Sequence, residues 1–205
     1  MSNNIIKEAL DILLNETDPI IYDYDESPDY TFVTIDYTGG RYFTLPIEML
    51  IDDSDENMLS LVGHPDNVLS IDKKTAKNYL WVEMLMNDLN LSLSTENHKI
   101  GVWSCYLEGG SLEDALDLKG KVTVQFVTNI PKNLDTKSIA ELLKAGVESF
   151  QNSVGRIQRF IHKCQTSESA LDFDDVFPEK SDNVEIRFHP KFLDILNDLG
   201  DNEQI

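Results

Sequence analysis

Residues 122–143 read VTVQFVTNIPKNLDTKSIAELL, and the hydrophobic period changes within this stretch. Apolar residues alternate from Val122 to Phe126, as in a strand with one buried face. From Ile139 they recur every three or four residues, which is the period of a helix. Pro131 cannot donate a hydrogen bond to a sheet, so the strand should end there. The stretch therefore predicts a strand, a short joint and a helix, rather than a catalytic loop.

The helix predicted over residues 136–164 is long, about 44 Å at 1.5 Å per residue. Its N-cap is either Asp135, or Ser138 with Glu141 as a capping box. One apolar stripe follows its length: Ile139, Leu142, Leu143, Gly146, Val147, Phe150, Val154, Ile157, Phe160, Ile161 and Cys164. Because typical globular helices are shorter, we expect one end to overhang the sheet and to offer this stripe to a partner.

The rest of the chain predicts an α+β fold in the order α-βββ-α-ββ-α. Along the chain, one helix is expected before the first three strands and a second helix after them. Two further strands then precede the long helix. The result is an antiparallel sheet of about five strands flanked by helices. The segments are a helix at 3–16, a hairpin at 30–46 turning at Gly39 and Gly40, a strand at 58–64, a helix at 73–91 capped by Asp72, and strands at 99–109 and 119–130.

The chain divides into two parts by composition. Residues 1–164 carry the periodic segments and form one predicted α+β domain. Residues 165–205 are acidic and weakly periodic, which is typical of a linker followed by a short strand and helix. The sequence leaves open whether this acidic extension packs on the same domain or docks onto a neighbour.

Charge is the clearest compositional feature, with 17 basic against 37 acidic residues and a formal net charge of −20. Residues 1–60 hold 14 acids and 2 bases, whereas residues 61–167 hold 12 of each. Residues 168–205 hold 11 acids and 3 bases. Such a field repels phosphates, so direct nucleic-acid binding is not expected. The charge favours solubility, or attraction to a basic partner.

The patterns that could carry chemistry are weak. The acidic run DDSDEN alternates as a calcium loop does, but counting from Asp53 the required glycine and glutamate positions hold Met58 and His64. The four histidines are scattered without the local pairing of metal ligands. Cys105 and Cys164 are predicted to be reduced, buried apolar residues. We therefore expect no catalytic residue, no metal and no cofactor, and a protein that is not an enzyme.

Two helices nevertheless carry aromatic and methionine residues suited to adaptable contacts with another protein. Core packing is the alternative interpretation for the same side chains. The predicted partner-binding residues are Tyr79, Trp81, Met84, Met86, Phe150, Ile157 and Phe160.

The order of elements resembles the type III secretion chaperone-like fold, especially bacterial proteins of the YbjN type. The resemblance lies in the hairpin FVTIDYTGGRYFTL, the helix YLWVEMLMNDLNLS, the strands IGVWSCYLEG and KVTVQFVTNIP, and the helix LDTKSIAELLKAGVESFQNSV. It implies a small, acidic, cytoplasmic and homodimeric protein that binds proteins without turning over a substrate. No catalytic residues come with it.

Two functions are therefore carried forward. The first is a non-enzymatic protein-binding module, chaperone- or adaptor-like, acting as a homodimer on a partner that is basic or has an exposed apolar segment. The alternative is an acidic decoy that mimics nucleic acid and occupies a basic DNA-binding protein. The start of the chain lacks a signal-peptide pattern, and no apolar run has the length of a membrane helix, so a cytoplasmic location without membrane contact is expected.

Overall fold

The structure is a computed structural model that describes residues 2–16, 21–27, 30–35, 47–65, 69–72, 74–95, 100–108, 120–172 and 176. These residues form an α+β fold of three helices and seven strands. In chain order the elements are α1 (Ser2–Leu14), β1 (Ile21–Glu26), β2 (Thr31–Ile35), β3 (Ile47–Asp52), β4 (Met58–Gly63), β5 (Leu69–Ser70), α2 (Lys77–Thr95), β6 (Val102–Glu108), β7 (Lys121–Pro131) and α3 (Thr136–Thr166).

The strands form one antiparallel sheet in which β1, β2, β3 and β4 are successive neighbours. Strand β7 is long enough to pair on one side with both β4 and the two-residue β5. Its other side pairs with β6 along the full length of β6. Strands β1 and β6 are consequently edges of the sheet, and the short β5 is a further one, since among the described residues it pairs with β7 alone.

The α+β class and the antiparallel sheet are confirmed, but the expected size of the sheet is wrong. Seven strands replace about five, and the order is α-βββββ-α-ββ-α instead of α-βββ-α-ββ-α. Strand β1 lies in an acidic segment between Pro19 and Pro28, where the sequence indicates a loop or an edge. Strand β5 is too short to show a period. The predicted returning strand of the hairpin is also wrong in position: β2 pairs with β3 (Ile47–Asp52), whereas residues 41–45 lie outside the described residues.

The side chains of the strands alternate, apart from an irregularity in β1 between Ile21 and Asp23, and one set is buried beneath the helices. Strand β7 shows the pattern most fully, with its even-numbered residues from Val122 to Ile130 almost inaccessible to solvent. The same face of the other strands carries Ile21, Val33, Met49, Ile51, Leu59, Leu61, Leu69 and Trp103. We call this side the covered face.

Three aromatic rings tie the covered face to α3. The ring of Trp103 stacks on Phe150 with centroids 5.4 Å apart, and Phe126 lies 5.2 Å from Trp103 and 5.7 Å from Phe150. The indole nitrogen of Trp103 donates to the hydroxyl of Ser153 at 3.0 Å. All four side chains are at least nine-tenths buried, so this cluster is the centre of the core.

Helix α3 confirms the prediction made from its stripe. Its N-cap is Asp135, whose carboxylate accepts hydrogen bonds from the amide of Ser138 at 3.0 Å and from its hydroxyl at 2.8 Å. The alternative capping box is wrong, because Glu141 is exposed and pairs with Lys137 instead. The stripe is buried from Ile139 onwards, with only Leu142 half-buried.

The expected overhang of α3 is not exposed, since the other two helices flank it. Helix α1 packs along one part of α3 and contacts β1, where the hydroxyl of Tyr24 donates to Asp11 at 3.1 Å. Helix α2 packs against β6 and the other part of α3, and Arg156 pairs there with Asp88 at 2.8 Å. The long apolar stripe is therefore covered within one chain.

Helix α2 begins at Lys77, four residues after the predicted start. Asp72 caps the preceding turn, accepting from the amides of Lys74 at 2.9 Å and Thr75 at 3.0 Å. Helix α2 is buried on more than one side, since Leu80 and Val82, two positions apart, are both buried.

The chain after α3 does not leave the domain at once. Residues 167–172 return towards α2, where Leu171 packs against the core. The predicted extension over residues 165–205 thus begins as part of the packed structure. Apart from Val176, which also contacts the core, its remainder lies outside the described residues.

Candidate functional site

The residues predicted to bind a partner do not form a surface. Five of the seven are buried in the core, and the other two, Tyr79 and Met84, are half-buried and pack against it. The buried ones are Trp81, Met86, Phe150, Ile157 and Phe160. Within a single chain these side chains fill the space between the helices and the covered face.

The two cysteines have the properties of protonated apolar groups. Burial raises the pKa of the Cys164 thiol to about 12. Burial, together with the nearby carboxylate of Glu83, raises the pKa of the Cys105 thiol to about 12. The thiolate is the nucleophilic form, so neither cysteine is activated at neutral pH.

The acidic loop after β3 is organised around a lysine. The ammonium of Lys132 donates to the backbone carbonyls of Asp53, at 3.0 Å, and of Asp55, and it pairs with the carboxylate of Asp53. A side-chain cation thus occupies the position that a metal would take in such a loop. Across the described parts of the chain, no three histidine, cysteine or acidic residues are arranged to hold a metal.

A cavity of about 300 Å³ lies between β5, the turn before α2 and the end of α3. Asp72 is the charged residue in its lining, and its carboxylate is engaged by the turn, whose hydrogen bonds from Thr75 hold its pKa below the usual value. The other lining residues are Ser70, Ile71, Thr75, Cys164, Gln165 and Ser167. This lining offers hydrogen bonds but neither an activated nucleophile nor a free carboxylate base.

The most distinctive surface is the side of the sheet opposite the helices, which we call the open face. Contacts of α1, α2 and α3 lie on the covered face or at the β6 edge. None of the helices in the described residues lies on the open face. Its chemistry is therefore set by the strand residues that alternate with the core.

An apolar row crosses the open face from strand to strand. In the register of the sheet, Phe32 lies opposite Leu50, Leu50 opposite Val62, Val62 opposite Val127, and Val127 opposite Val102. Directly opposite side chains on neighbouring strands touch. At about 4.8 Å per strand the row extends about 19 Å. Its outer member, Val102, is 56% exposed, and the other four are half-buried.

Polar residues border this apolar row on both sides. On one side the hydroxyl of Ser60 donates to the side-chain oxygen of Asn129 at 2.9 Å. On the other side Ser104 lies opposite Gln125, and Thr34 opposite Glu48. The apolar row is consequently framed by groups that hydrogen-bond to water, except at β2, where the exposed ring of Tyr30 lies 5.0 Å from that of Phe32.

The open face is acidic towards its β1 edge. Asp25 ends the row opposite Phe32, and the neighbouring positions carry Asp23, Glu48 and Asp52. Among the described residues of this face, one strand residue is basic, Lys121 in β7. A partner that covers the row therefore meets negative charge on one half of the sheet.

The β6 edge is closed to a further strand at its start. The side chain of Asn90 in α2 accepts from the amide of Trp103 at 2.7 Å and donates to its carbonyl at 2.9 Å. An asparagine thus satisfies both outward backbone groups of this residue, as a neighbouring strand would. This favours the face of the sheet over this edge as the contact surface.

Reading the sequence alone missed the apolar row. The period of two predicts that Phe32 and Val127 lie on the opposite face from Val33 and Phe126, and the register of the sheet confirms this. What the sequence did not provide is the register that aligns them with Leu50, Val62 and Val102. The available signal was an apolar residue at an outward position in each of several strands.

Comparisons with protein families, with characterised proteins and with solved structures found no match to this chain. In the described part of the chain, no helix combines the length and apolar character needed to cross a membrane. The geometry of the sheet and its surroundings is therefore the basis on which a function can be proposed.

Proposed function

We propose that this protein is a non-enzymatic protein-binding module, chaperone- or adaptor-like, whose contact surface is the open face of the sheet. The observation that carries the proposal is the apolar row from Phe32 to Val102. An aligned apolar surface with a polar border is typical of protein interaction sites. The resemblance to the chaperone-like fold agrees with this function, and so does the engagement of both cysteines and the acidic loop within the fold.

The partner we propose is a protein segment with apolar side chains flanked by basic ones. Its apolar side chains would cover the row, and its basic ones would face Asp23, Asp25, Glu48 and Asp52. Complementary charge of this kind speeds association and selects among partners. On the described part of this face, a second copy of this chain would offer one basic strand residue, Lys121. A second copy therefore matches the acidic half of the face less well than a basic segment does.

The homodimer implied by the resemblance remains a separate prediction. Light scattering on the full chain measures the oligomeric state directly. The measurement is repeated with the Leu50→Ser, Val127→Thr double variant, which makes the centre of the row polar. A dimer that dissociates in the variant would identify a second copy as the occupant of the row, and would contradict the basic partner. A monomer, or a dimer that the variant leaves intact, keeps the row available to a different protein.

The proposal is tested with a synthetic peptide of leucine and lysine, about 14 residues long so that its helix spans the row at 1.5 Å per residue. Leucines are placed three and four positions apart to form one apolar side. The control peptide has the same composition in shuffled order. The protein variant is Leu50→Ser with Val127→Thr, which makes the centre of the row polar while leaving the covered face unchanged.

We expect the peptide to bind the unmodified chain, and to bind the double variant about tenfold more weakly, a difference of about 1.4 kcal/mol. Affinity should also fall as salt is added, because the acidic half of the face contributes. Equal affinity of the peptide for both proteins, or of both peptides for the unmodified chain, would refute the assignment of the row.

The acidic decoy is the weaker candidate, because the apolar row interrupts the acidic surface of the sheet. A nucleic-acid mimic needs charge along a continuous face. The decoy function is tested by competition between this protein and DNA for a basic protein. A competition that persists in the Leu50→Ser, Val127→Thr double variant would favour the decoy over the binding module.

A further inference from the structure

The segment that follows α3 is held on α2 by its backbone. We call residues 167–172 the strap. The amide of Leu171 donates to the side-chain oxygen of Asn78 at 2.9 Å, and its carbonyl accepts from the indole nitrogen of Trp81 at 2.7 Å. Two side chains from one helix thus bind both polar backbone groups of a single strap residue.

A third backbone contact continues the attachment. The amide of Ala170 donates to the carbonyl of Lys74, in the turn before α2, at 3.3 Å. The side chain of Leu171 is half-buried and packs against the core. Backbone hydrogen bonds fix the position of an extended segment, and one apolar side chain sets its specificity. We call Lys74, Asn78 and Trp81 the clip.

The clip has an unused donor. Asn78 is fully buried, and its side-chain nitrogen has no hydrogen-bond partner among the residues that the structure describes. Asn90, on the same helix, offers the useful contrast, because both ends of its amide bind the backbone of Trp103. A buried donor without an acceptor is uncommon. The strap therefore satisfies one end of Asn78, and a slightly different extended chain could satisfy both.

Charge favours an acidic occupant of the clip. Lys74 and Lys77 are exposed at the start of α2, whereas the strap carries Glu168 and Asp172 on either side of its leucine. This pattern is the reverse of the open face, where acids lie beside one half of the apolar row. The two surfaces should therefore select partners of opposite charge.

We propose that the clip is a peptide-binding site that the strap occupies in the free protein. Its ligand in trans is an extended peptide with one apolar side chain flanked by carboxylates, which replaces the strap. The strap then acts as a built-in competitor that lowers the apparent affinity of any such peptide. The inference is independent of the open face, since no residue of the apolar row takes part.

The probe is a fluorescent peptide with the sequence SESALDFDDV, which is residues 167–176. Its control carries aspartate in place of the leucine. The proteins are the full chain, the full chain with Leu171→Asp to weaken the strap, and the double variant Leu171→Asp, Trp81→Phe, which keeps the aromatic ring but removes the indole donor.

We expect Leu171→Asp to bind the peptide about tenfold more tightly than the unmodified chain. Adding Trp81→Phe should reverse most of that gain, and the control peptide should bind none of the proteins. The Leu50→Ser, Val127→Thr double variant should behave as the unmodified chain does. A variant that loses the leucine–lysine peptide but keeps the strap peptide, or the reverse, separates the two proposals.

The chain has two tryptophans, so its spectrum contains two indole N–H signals by which the state of the strap can be followed. The Trp81 signal should shift in Leu171→Asp and return when the peptide is added. An unchanged Trp81 signal in Leu171→Asp would overturn the proposal, because the strap would not be held by its leucine. A released strap without peptide binding, or binding that is indifferent to Trp81→Phe, would overturn it equally.

Discussion

The two faces of the sheet carry similar residues but have different surroundings. On β7, Val124 and Val127 are three residues apart and point to opposite sides. Val124 is 2% exposed beneath the helices, whereas Val127 lies half-buried in the apolar row. Burial under helices makes the first a core residue. Val127 belongs to a surface because it is aligned with its neighbours across five strands. Residue type alone therefore does not separate a core residue from a contact residue.

The largest loss of stability is expected at Gly101, where the covered face has no space for an additional atom. Gly101 has φ +112°, and a Cβ there would lie 2.1 Å from the ring of Phe126. Gly101→Ala combines this clash with a strained backbone, and should cost about 3 kcal/mol of unfolding free energy. Urea denaturation measures the loss.

Gly146→Ala is the matched control for that substitution. Its Cβ would approach the side chain of Leu61 to 3.0 Å, a contact that a flexible leucine can relieve. The gain in helix propensity offsets this, so the change should be within about 1 kcal/mol. Equal losses at the two glycines would mean that the packing at Gly101 is not as tight as described.

The comparison is sharpened by placing one hydroxyl on each face. Val124→Thr puts a hydroxyl into the core and should lower the unfolding free energy by about 1–3 kcal/mol. Val127→Thr puts the same group on the open face and should change it by no more than about 0.5 kcal/mol. Thermal and urea unfolding of the two variants measure these changes in unfolding free energy. A large loss at Val127 would show that the open face is covered.

The smallest effect concerns the cap of α3. Hydrogen bonds from the amide and hydroxyl of Ser138 lower the pKa of Asp135 in the folded protein. A lowered folded pKa contributes stability above the unfolded value of about 3.9, and this contribution is lost as the pH falls through the folded pKa. Asp135→Ala should therefore destabilise the protein at neutral pH, and by less as the pH falls below about 4.

Glu141→Ala is the control for the cap, because Glu141 lies outside the capping contacts. Its exposed pair with Lys137 should contribute little at any pH. A loss that is larger for Glu141→Ala than for Asp135→Ala would restore the capping box, and would contradict the observed cap. Unfolding curves across the acidic range distinguish the two.

The helices and the central strands were predictable because their signals are local. The stripe of α3, its cap at Asp135 and the end of β7 at Pro131 all follow from residues close in sequence. The strands β1 and β5 were missed because an acidic edge and a two-residue pairing leave almost no periodicity, and β3 lies at Ile47–Asp52 instead of the predicted 41–45. Local patterns predict elements better than they predict the sheet that the elements form.

The candidate surfaces depend on contacts between distant residues. The apolar row needs a register across five strands, the acidic loop needs Lys132 from 77 residues later, and the clip needs Leu171, 90 residues after Trp81. The sequence pattern marked Trp81 as a contact residue, and the contact it makes is with its own chain. Long-range pairing is therefore what separates the predicted contact residues from the candidate surfaces.

The most direct test of the central claim is a titration of the unmodified chain with the leucine–lysine peptide, followed by the backbone amide shifts of both faces. The account predicts saturable shifts at Phe32, Leu50, Val62, Val102 and Val127, with little change at the buried residues between them. Shifts centred on α2 and the strap instead, or scattered without saturation, would contradict the claim that the open face of the sheet is the binding surface.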